Sequence, residues 1–148
     1  MSESEASLYG KEQEAVCLAR LETALGVSIA EGKKVVPRGQ RWLVCIPDGL
    51  VEDSIVEVKC PYKCRENSFE SLAETDQNFC LKVQSSGELG LSQDHDYYYQ
   101  VQGMLNMMDR QFCYFAVWSP SQFHYQVIEQ DKQLWQTLIF PKLLEFYR

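Results

Sequence analysis

Asp48, Glu57 and Lys59 fall in one short stretch, IPDGLVEDSIVEVKCPYK, set between two apolar runs. A carboxylate taken out of water is costly, so acids placed among apolar residues need a partner, often a metal ion. SIVEVKC alternates and is β-branched, which predicts a strand. On a strand Glu57 and Lys59 share one face, while Val56 and Val58 share the other. Asp48 lies nine residues before Glu57, and the GLVEDS turn between them can fold it back beside that face. Two carboxylates so placed can hold Mg²⁺ or Mn²⁺ through oxygen, with the Val58 carbonyl as a further ligand and water completing the shell. Lys59 can steady an attacking water or the negative charge that grows on a phosphate. The same residues also fit a solvated hairpin face, with Glu57 and Lys59 in a surface pair worth at most ~1 kcal/mol. Glu52 and Asp53 read as turn residues.

Several elements must position this stretch. SLYGKEQEAVCLARLETALG carries Leu8, Val16, Leu18, Ala19, Leu21 and Leu25 at roughly helical spacing, with Gly26 as a stop. KKVVPRGQRWLVCIPDG predicts two strands about a Pro-Arg-Gly turn. From Arg65 to Gln93 the pattern weakens, to a short helix in NSFESLAE and a glycine-containing connection at SSGELG. HDYYYQVQGMLNMM regains helical spacing, with Asp94 as its cap. QFCYFAVWSP and QFHYQVIEQ predict two aromatic strands joined at Ser119 to Ser121. The end, DKQLWQTLIFPKLLEFYR, is helical, with Pro141 kinking or interrupting it. This order predicts an α/β or α+β domain, one sheet flanked by helices. No repeat or linker divides residues 1–148.

A length of 148 residues suits one domain with a core of its own. The net charge of −7 argues against a general nucleic-acid coat protein, because phosphate binding needs basic surface. It leaves room for a nuclease, whose acids become positive in effect once divalent cations bind. No apolar run reaches the ~20 residues of a membrane span, and MSESEASLYG lacks a signal-peptide pattern. The expectation is an intracellular protein of cytoplasm or nucleus, with no membrane partner. Cys17, Cys45, Cys60, Cys64, Cys80 and Cys113 read mainly as buried thiols, several of them inside apolar runs. Cys60 and Cys64 have a loose zinc-like spacing, but no second Cys/His pair follows at a useful distance. His95 and His124 read as surface or satisfied histidines.

PDG followed by EVKCPY resembles the core of a PD-(D/E)xK nuclease, in particular the lambda exonuclease or YqaJ-like viral recombinase family. YGKEQEAVCLARLE is similar to that family's opening helix motif, YYYQVQGML to its later helix, and FCYFAVWSP to the strand that follows. The resemblance runs from about Leu8 to Tyr147, with the motifs in family order. It implies a restriction-endonuclease-like central mixed sheet flanked by helices. It also implies a Mg²⁺- or Mn²⁺-dependent deoxyribonuclease, most simply a 5′-to-3′ exonuclease on linear duplex DNA in recombination or repair. Carried over residue by residue, Asp48 and Glu57 would be metal ligands, Val58 would lend its carbonyl, and Lys59 would be the catalytic lysine. Glu14 would be an outer acidic group near a second metal or its waters, and Gln100 would touch the substrate backbone or phosphate. Gln102 lies roughly 200° around the helix from Gln100, so it reads as a solvated or structural glutamine. Tyr97, Tyr98 and Tyr99 could stack on bases, but three in a row put at least one in the core, and none is assigned to DNA.

Two features depart from the family pattern. The family's N-terminal arm is missing before the opening motif, and Ile46 stands where the phage member has serine. Both predict weak discrimination of a 5′ phosphate. A homo-oligomer is implied by the resemblance alone. A structure-directed endonuclease on the same core and a non-catalytic nucleic-acid- or protein-binding module remain as alternatives.

Overall fold

The computed structural model describes residues 3–32 and 46–146. The strand pair expected across KKVVPRGQRWLVCIPDG falls largely in residues 33–45, and with Cys45 it lies outside the described residues. The first helix, α1 (Glu3–Leu25), ends at Gly26, whose φ of +70° is the left-handed closing conformation glycine adopts without penalty. The amides of Gly26 and Val27 both reach back to the carbonyl of Glu22.

Among the described residues a five-stranded mixed sheet forms the centre, ordered β1 (Ala30–Glu31), β2 (Gly49–Val51), β3 (Ser54–Lys59), β6 (Phe112–Trp118) and β7 (Phe123–Glu129). The β3–β6 pair is parallel and its neighbours are antiparallel. A parallel pair needs a long crossover. Here it contains a 3₁₀ turn (Tyr62–Arg65), α2 (Phe69–Thr75), the hairpin of β4 (Leu81–Val83) and β5 (Leu89–Leu91), and α3 (Asp96–Met107). This is the α+β arrangement, a mixed sheet flanked by helices, that the sequence predicts.

The two sheet faces are distinct. On one, Cys17 and Leu21 of α1 pack against Val51, Val56, Val58 and Ala116. On the other, Ile55, Phe115 and Val117 meet Phe69, Phe79, Leu81, Val101 and Leu105 from the crossover. Because β3 is covered on both faces, Ile55 to Val58 are all buried, the near-continuous burial typical of a parallel strand.

Several local expectations are corrected. On α1 the buried stripe is Cys17 and Leu21, with Leu18 and Leu25 beside it, while Leu8 and Val16 are 58% and 46% exposed and Ala19 is exposed too. Spacing alone could not choose between two overlapping stripes, and contact with the sheet does. The α3 cap is His95, not Asp94: His95 is the last extended residue, and its Nδ1 accepts the Tyr97 amide at 3.0 Å. Its Nε2 lies 3.1 Å from the Asn78 carbonyl. The weak middle segment holds the predicted short helix and also the β4–β5 hairpin, turned at Gly87 (φ +88°). At the C terminus the helix passes from α4 (Lys132–Leu134) through a π turn (Trp135–Ile139) to α5 (Phe140–Phe146). Pro141 has no N–H to continue the ladder, and the preceding turn is widened to the π spacing.

Gln102 is fully buried. Its amide donates to the Glu129 carbonyl at 2.8 Å and its oxygen accepts the Asp131 amide at 2.7 Å, so it ties α3 to the end of β7. Gln102→Leu keeps the bulk but leaves those two backbone groups without a partner. It should cost about 2 kcal/mol of stability, read as a lower midpoint in urea unfolding with an unchanged slope.

Candidate active site

β2 and β3 join through the tight turn at Glu52 and Asp53, where Glu52 takes a φ of +51°. The ladder pairs Gly49 with Val56, and the Asp48 amide extends it by donating to the Val56 carbonyl at 3.0 Å. The same amide donates to Glu57 Oε1 at 3.1 Å. In return, Asp48 Oδ2 accepts the Val58 amide at 2.8 Å. Asp48 therefore continues the β2 edge with its side chain, and the two acids are locked together through the main chain. Val58 turns its carbonyl toward the same edge as its amide, the edge that faces Asp48.

Glu57 is 6% exposed, which removes the reading of this stretch as a solvated hairpin face. Burial, reinforced by the charge of Asp48, pushes its carboxyl up to about 8, against the pull of Lys59. Glu14 reaches the same place from α1, one helical turn before Cys17 on the face that packs on the sheet. It hydrogen-bonds Asp48, and burial together with that bond and the Asp48 charge pushes it up to about 7. Lys59 Nζ lies 3.9 Å from Glu57 Oε2, 3.4 Å from Gln100 Oε1 and 4.4 Å from the centre of the Tyr97 ring.

One cleft thus gathers Glu14, Asp48, Glu57, Val58 and Lys59, with Gly10, Lys11 and Cys60 beside them. Gln100 is exposed and meets this group through Lys59. Gln102 points away into the core, as the helical rotation between the two glutamines requires. Sequence reasoning missed Tyr97 as the ring under Lys59, because three adjacent tyrosines give no reason to choose one. It missed Lys11 too, although Lys11 and Glu14 are spaced to share a helix face. Cys60 is half-buried, and a hydrogen bond from Cys17 holds its thiol below the ordinary range. Cys64 is buried and pushed up to about 12 by burial, the behaviour of a core thiol.

The donors that could hold a hard divalent cation are the carboxylate oxygens of Asp48 and Glu57 and the Val58 carbonyl, with Glu14 outside them. Among the described residues no three His, Cys, Asp or Glu side chains form a ready cage for an ion. The donor chemistry nevertheless fits one. Two carboxyls are pushed far above the usual carboxylate range by burial and by a shared neighbour, and a cation at that point would relieve both effects.

Comparison with known proteins places the fold. The structure is similar to the alkaline exonuclease LHK-Exo of Laribacter hongkongensis, with a TM-score of 0.68 and 23% identity over 95% of this chain and 68% of that one. The same enzyme in complex with dAMP gives a TM-score of 0.70 and 23% identity over 98% and 69%. A phage-related exonuclease from Haemophilus somnus 129PT gives 0.62 and 12% identity over 97% and 74%. These likenesses establish a shared fold. No curated protein matches the chain in sequence. The family model of the YqaJ-like viral recombinase domain matches residues 1–111, the segment that contains Glu14, Asp48, Glu57, Lys59 and Gln100, and the chain belongs to that family.

Proposed function

We propose that this protein is a metal-dependent deoxyribonuclease that degrades linear duplex DNA from its 5′ ends, within recombination or repair. The observation that carries the reading is the meeting of Glu14, Asp48, Glu57 and Lys59 in one cleft of a YqaJ-like recombinase domain. The likeness to two exonucleases supports the exonuclease mode.

Phosphodiester hydrolysis needs an oriented water, relief of charge on the phosphoryl oxygens and support for the leaving oxygen. A divalent cation, when bound, supplies Lewis acidity and charge relief. Asp48 and Glu57 would hold Mg²⁺ or Mn²⁺ through oxygen, each fixed in direction by the backbone amide it already accepts. Val58 would add its carbonyl, and Glu14 would accept from water on the Asp48 side. Lys59 would donate to the phosphate or to the attacking water, its ammonium fixed between Tyr97, Gln100 and Glu57. Such preorganisation lets a charge act at the transition state without moving to it. Gln100, exposed at the helix edge, would contact the DNA backbone.

The central test compares linear duplex with closed-circular DNA, in Mg²⁺ or Mn²⁺ and in chelator. Linear DNA should be degraded, circles spared, and chelator should stop the reaction. Cutting of circles would make the protein an endonuclease, and cutting of neither would leave a binding module.

Two variants test the residue roles. In Asp48→Asn the acceptor for the Val58 amide remains while the charge is lost. Mg²⁺ at a hundred times its Kd should stabilise the native protein by about 2.7 kcal/mol, seen as a rise in Tm, and should leave the variant unmoved and inactive. Full metal-dependent activity in Asp48→Asn would remove Asp48 from the site. Lys59→Ala should lower turnover by about a hundredfold or more with DNA affinity nearly intact. Lost affinity with normal turnover at saturating DNA would make Lys59 a binding residue instead.

A further inference from the structure

Cys60 directly follows Lys59, one residue past the last ladder pair of β3 with β6, Lys59 with Val117. It is half-buried and lines the cleft that holds Glu14, Asp48, Glu57 and Lys59. Cys17 lies on the buried stripe of α1, closed off from solvent, and Cys60 packs against the apolar cluster to which Cys17 belongs. The two thiols touch, with Cys17 donating a hydrogen bond to the Cys60 sulfur. Phosphodiester hydrolysis at the neighbouring acids uses neither sulfur.

Two thiols in contact, one reachable from water and one sheltered behind it, have the layout of a pair that oxidises in a set order. Cys64, Cys80 and Cys113 are all buried, so an oxidant in water has no direct path to any of them. To join, the two sulfurs must close from hydrogen-bond contact to the ~2.05 Å of a disulfide. Cys60 can supply that movement, because its own backbone lies beyond the ladder. Pro61, which follows it at a φ of −64°, has no N–H with which to tie it to a neighbouring strand.

We propose that Cys17 and Cys60 are a peroxide-sensitive pair that closes into a disulfide and slows the adjoining site. The oxidant is hydrogen peroxide. The Cys60 sulfur attacks it: an S–O bond forms, the O–O bond breaks, and one water leaves. The Cys17 sulfur then attacks the Cys60 sulfur: the S–S bond forms, the S–O bond breaks, and the Cys17 proton leaves with a second water. Two thiols lose two electrons in all, and one peroxide is reduced to two waters.

The new bond ties α1 to the end of β3. Glu14 lies three residues before Cys17 and shares its helix face, while Lys59 is the chain neighbour of Cys60. Drawing the sulfurs together therefore shifts Glu14 against Asp48, or Lys59 against Gln100 and Tyr97. A misplacement of ~1 Å among reacting groups can cost roughly a hundredfold in rate. The effect on rate rests on the nuclease reading above, whereas the thiol chemistry has a readout of its own.

The test treats the whole reduced protein with a small molar excess of hydrogen peroxide and maps its peptides without reductant. A peptide joining Cys17 to Cys60 should appear, two of the six cysteines should be lost to thiol titration, and dithiothreitol should restore both. In Cys17→Ala the reaction should stop at the sulfenic acid of Cys60, trapped by dimedone, and in Cys60→Ser the Cys17 thiol should stay reduced. On linear duplex in Mg²⁺ the oxidised protein should turn over at least about tenfold more slowly than the reduced one. Dithiothreitol should restore that rate, which separates the disulfide from methionine oxidation, since a sulfoxide is returned only by its own reductases. Cys60→Ser should keep its own rate through the same treatment. Circular dichroism verifies that each variant is folded, and the native peptide map with Cys60→Ser decides if Cys17→Ala is not. Two thiols left free after peroxide, a bond from Cys60 to some other cysteine, or a disulfide form that cuts at the reduced rate would each overturn the proposal. If the reduced protein cuts no DNA, the nuclease reading fails, and the joined peptide alone upholds or overturns the pair.

Discussion

The burial of Glu57 in the strand at the centre of the sheet governs the rest of the molecule. A carboxyl there is stable only if its surroundings answer for its lost water, and each neighbour does part of that. The Asp48 amide donates to it, Lys59 approaches from two residues on, and the sheet on either side is apolar. What the protein alone leaves unrelieved is the burial itself, which together with the nearby Asp48 charge pushes both Glu57 and Glu14 upward. Stability alone would favour an apolar residue at position 57. A cation held beside these acids would offset that cost, which is the sense in which the site's chemistry fits one.

The fold answers the geometric side of this constraint. Only a strand with neighbours on both edges and cover on both faces can bury an acid in its middle, and the β3–β6 parallel pair supplies that position. The parallel pairing in turn demands the long crossover, and the crossover ends in α3. That helix delivers Tyr97 beneath Lys59 and Gln100 beside it, so the connection that topology requires also builds one wall of the cleft. α1 closes the other side. Its buried face, Cys17 and Leu21, fixes the helix on the sheet and thereby fixes Glu14, one turn earlier, against Asp48.

Much of this was legible in the sequence, and the limits have physical causes. Alternation in SIVEVKC announced the strand and the shared face of Glu57 and Lys59, because a period of two admits no other reading. The nine-residue spacing from Asp48 to Glu57 announced their meeting, since a hairpin that short has few registers. Gly26 marked the end of α1 and HDYYYQVQGMLNMM marked α3. The α1 core stripe was not settled, because a helix rich in apolar residues carries overlapping stripes and only the sheet selects one. The β4–β5 hairpin was missed because strands of three residues carry too little alternation to register. The meeting of Cys17 with Cys60 was beyond reach altogether, since it arises between a helix and a strand end far apart in the chain.

α3 shows how one helix can serve two ends at once. Gln100 and Gln102 are two residues apart and point to different sides, so a single turn of backbone feeds both the cleft and the core. Gln102 is held at both ends of its amide by the backbone at the exit of β7, and Asn106 donates both to the Gln102 carbonyl and to that of Asp131. These bonds fix the rotation of α3 about its own axis. A helix held only by apolar contacts can slip by a fraction of a turn at little cost, whereas buried amides accept only one angle. Gln100 and Tyr97 inherit that angle. These side chains beside Lys59 are thus aimed from the opposite side of the helix, by residues that point away from it.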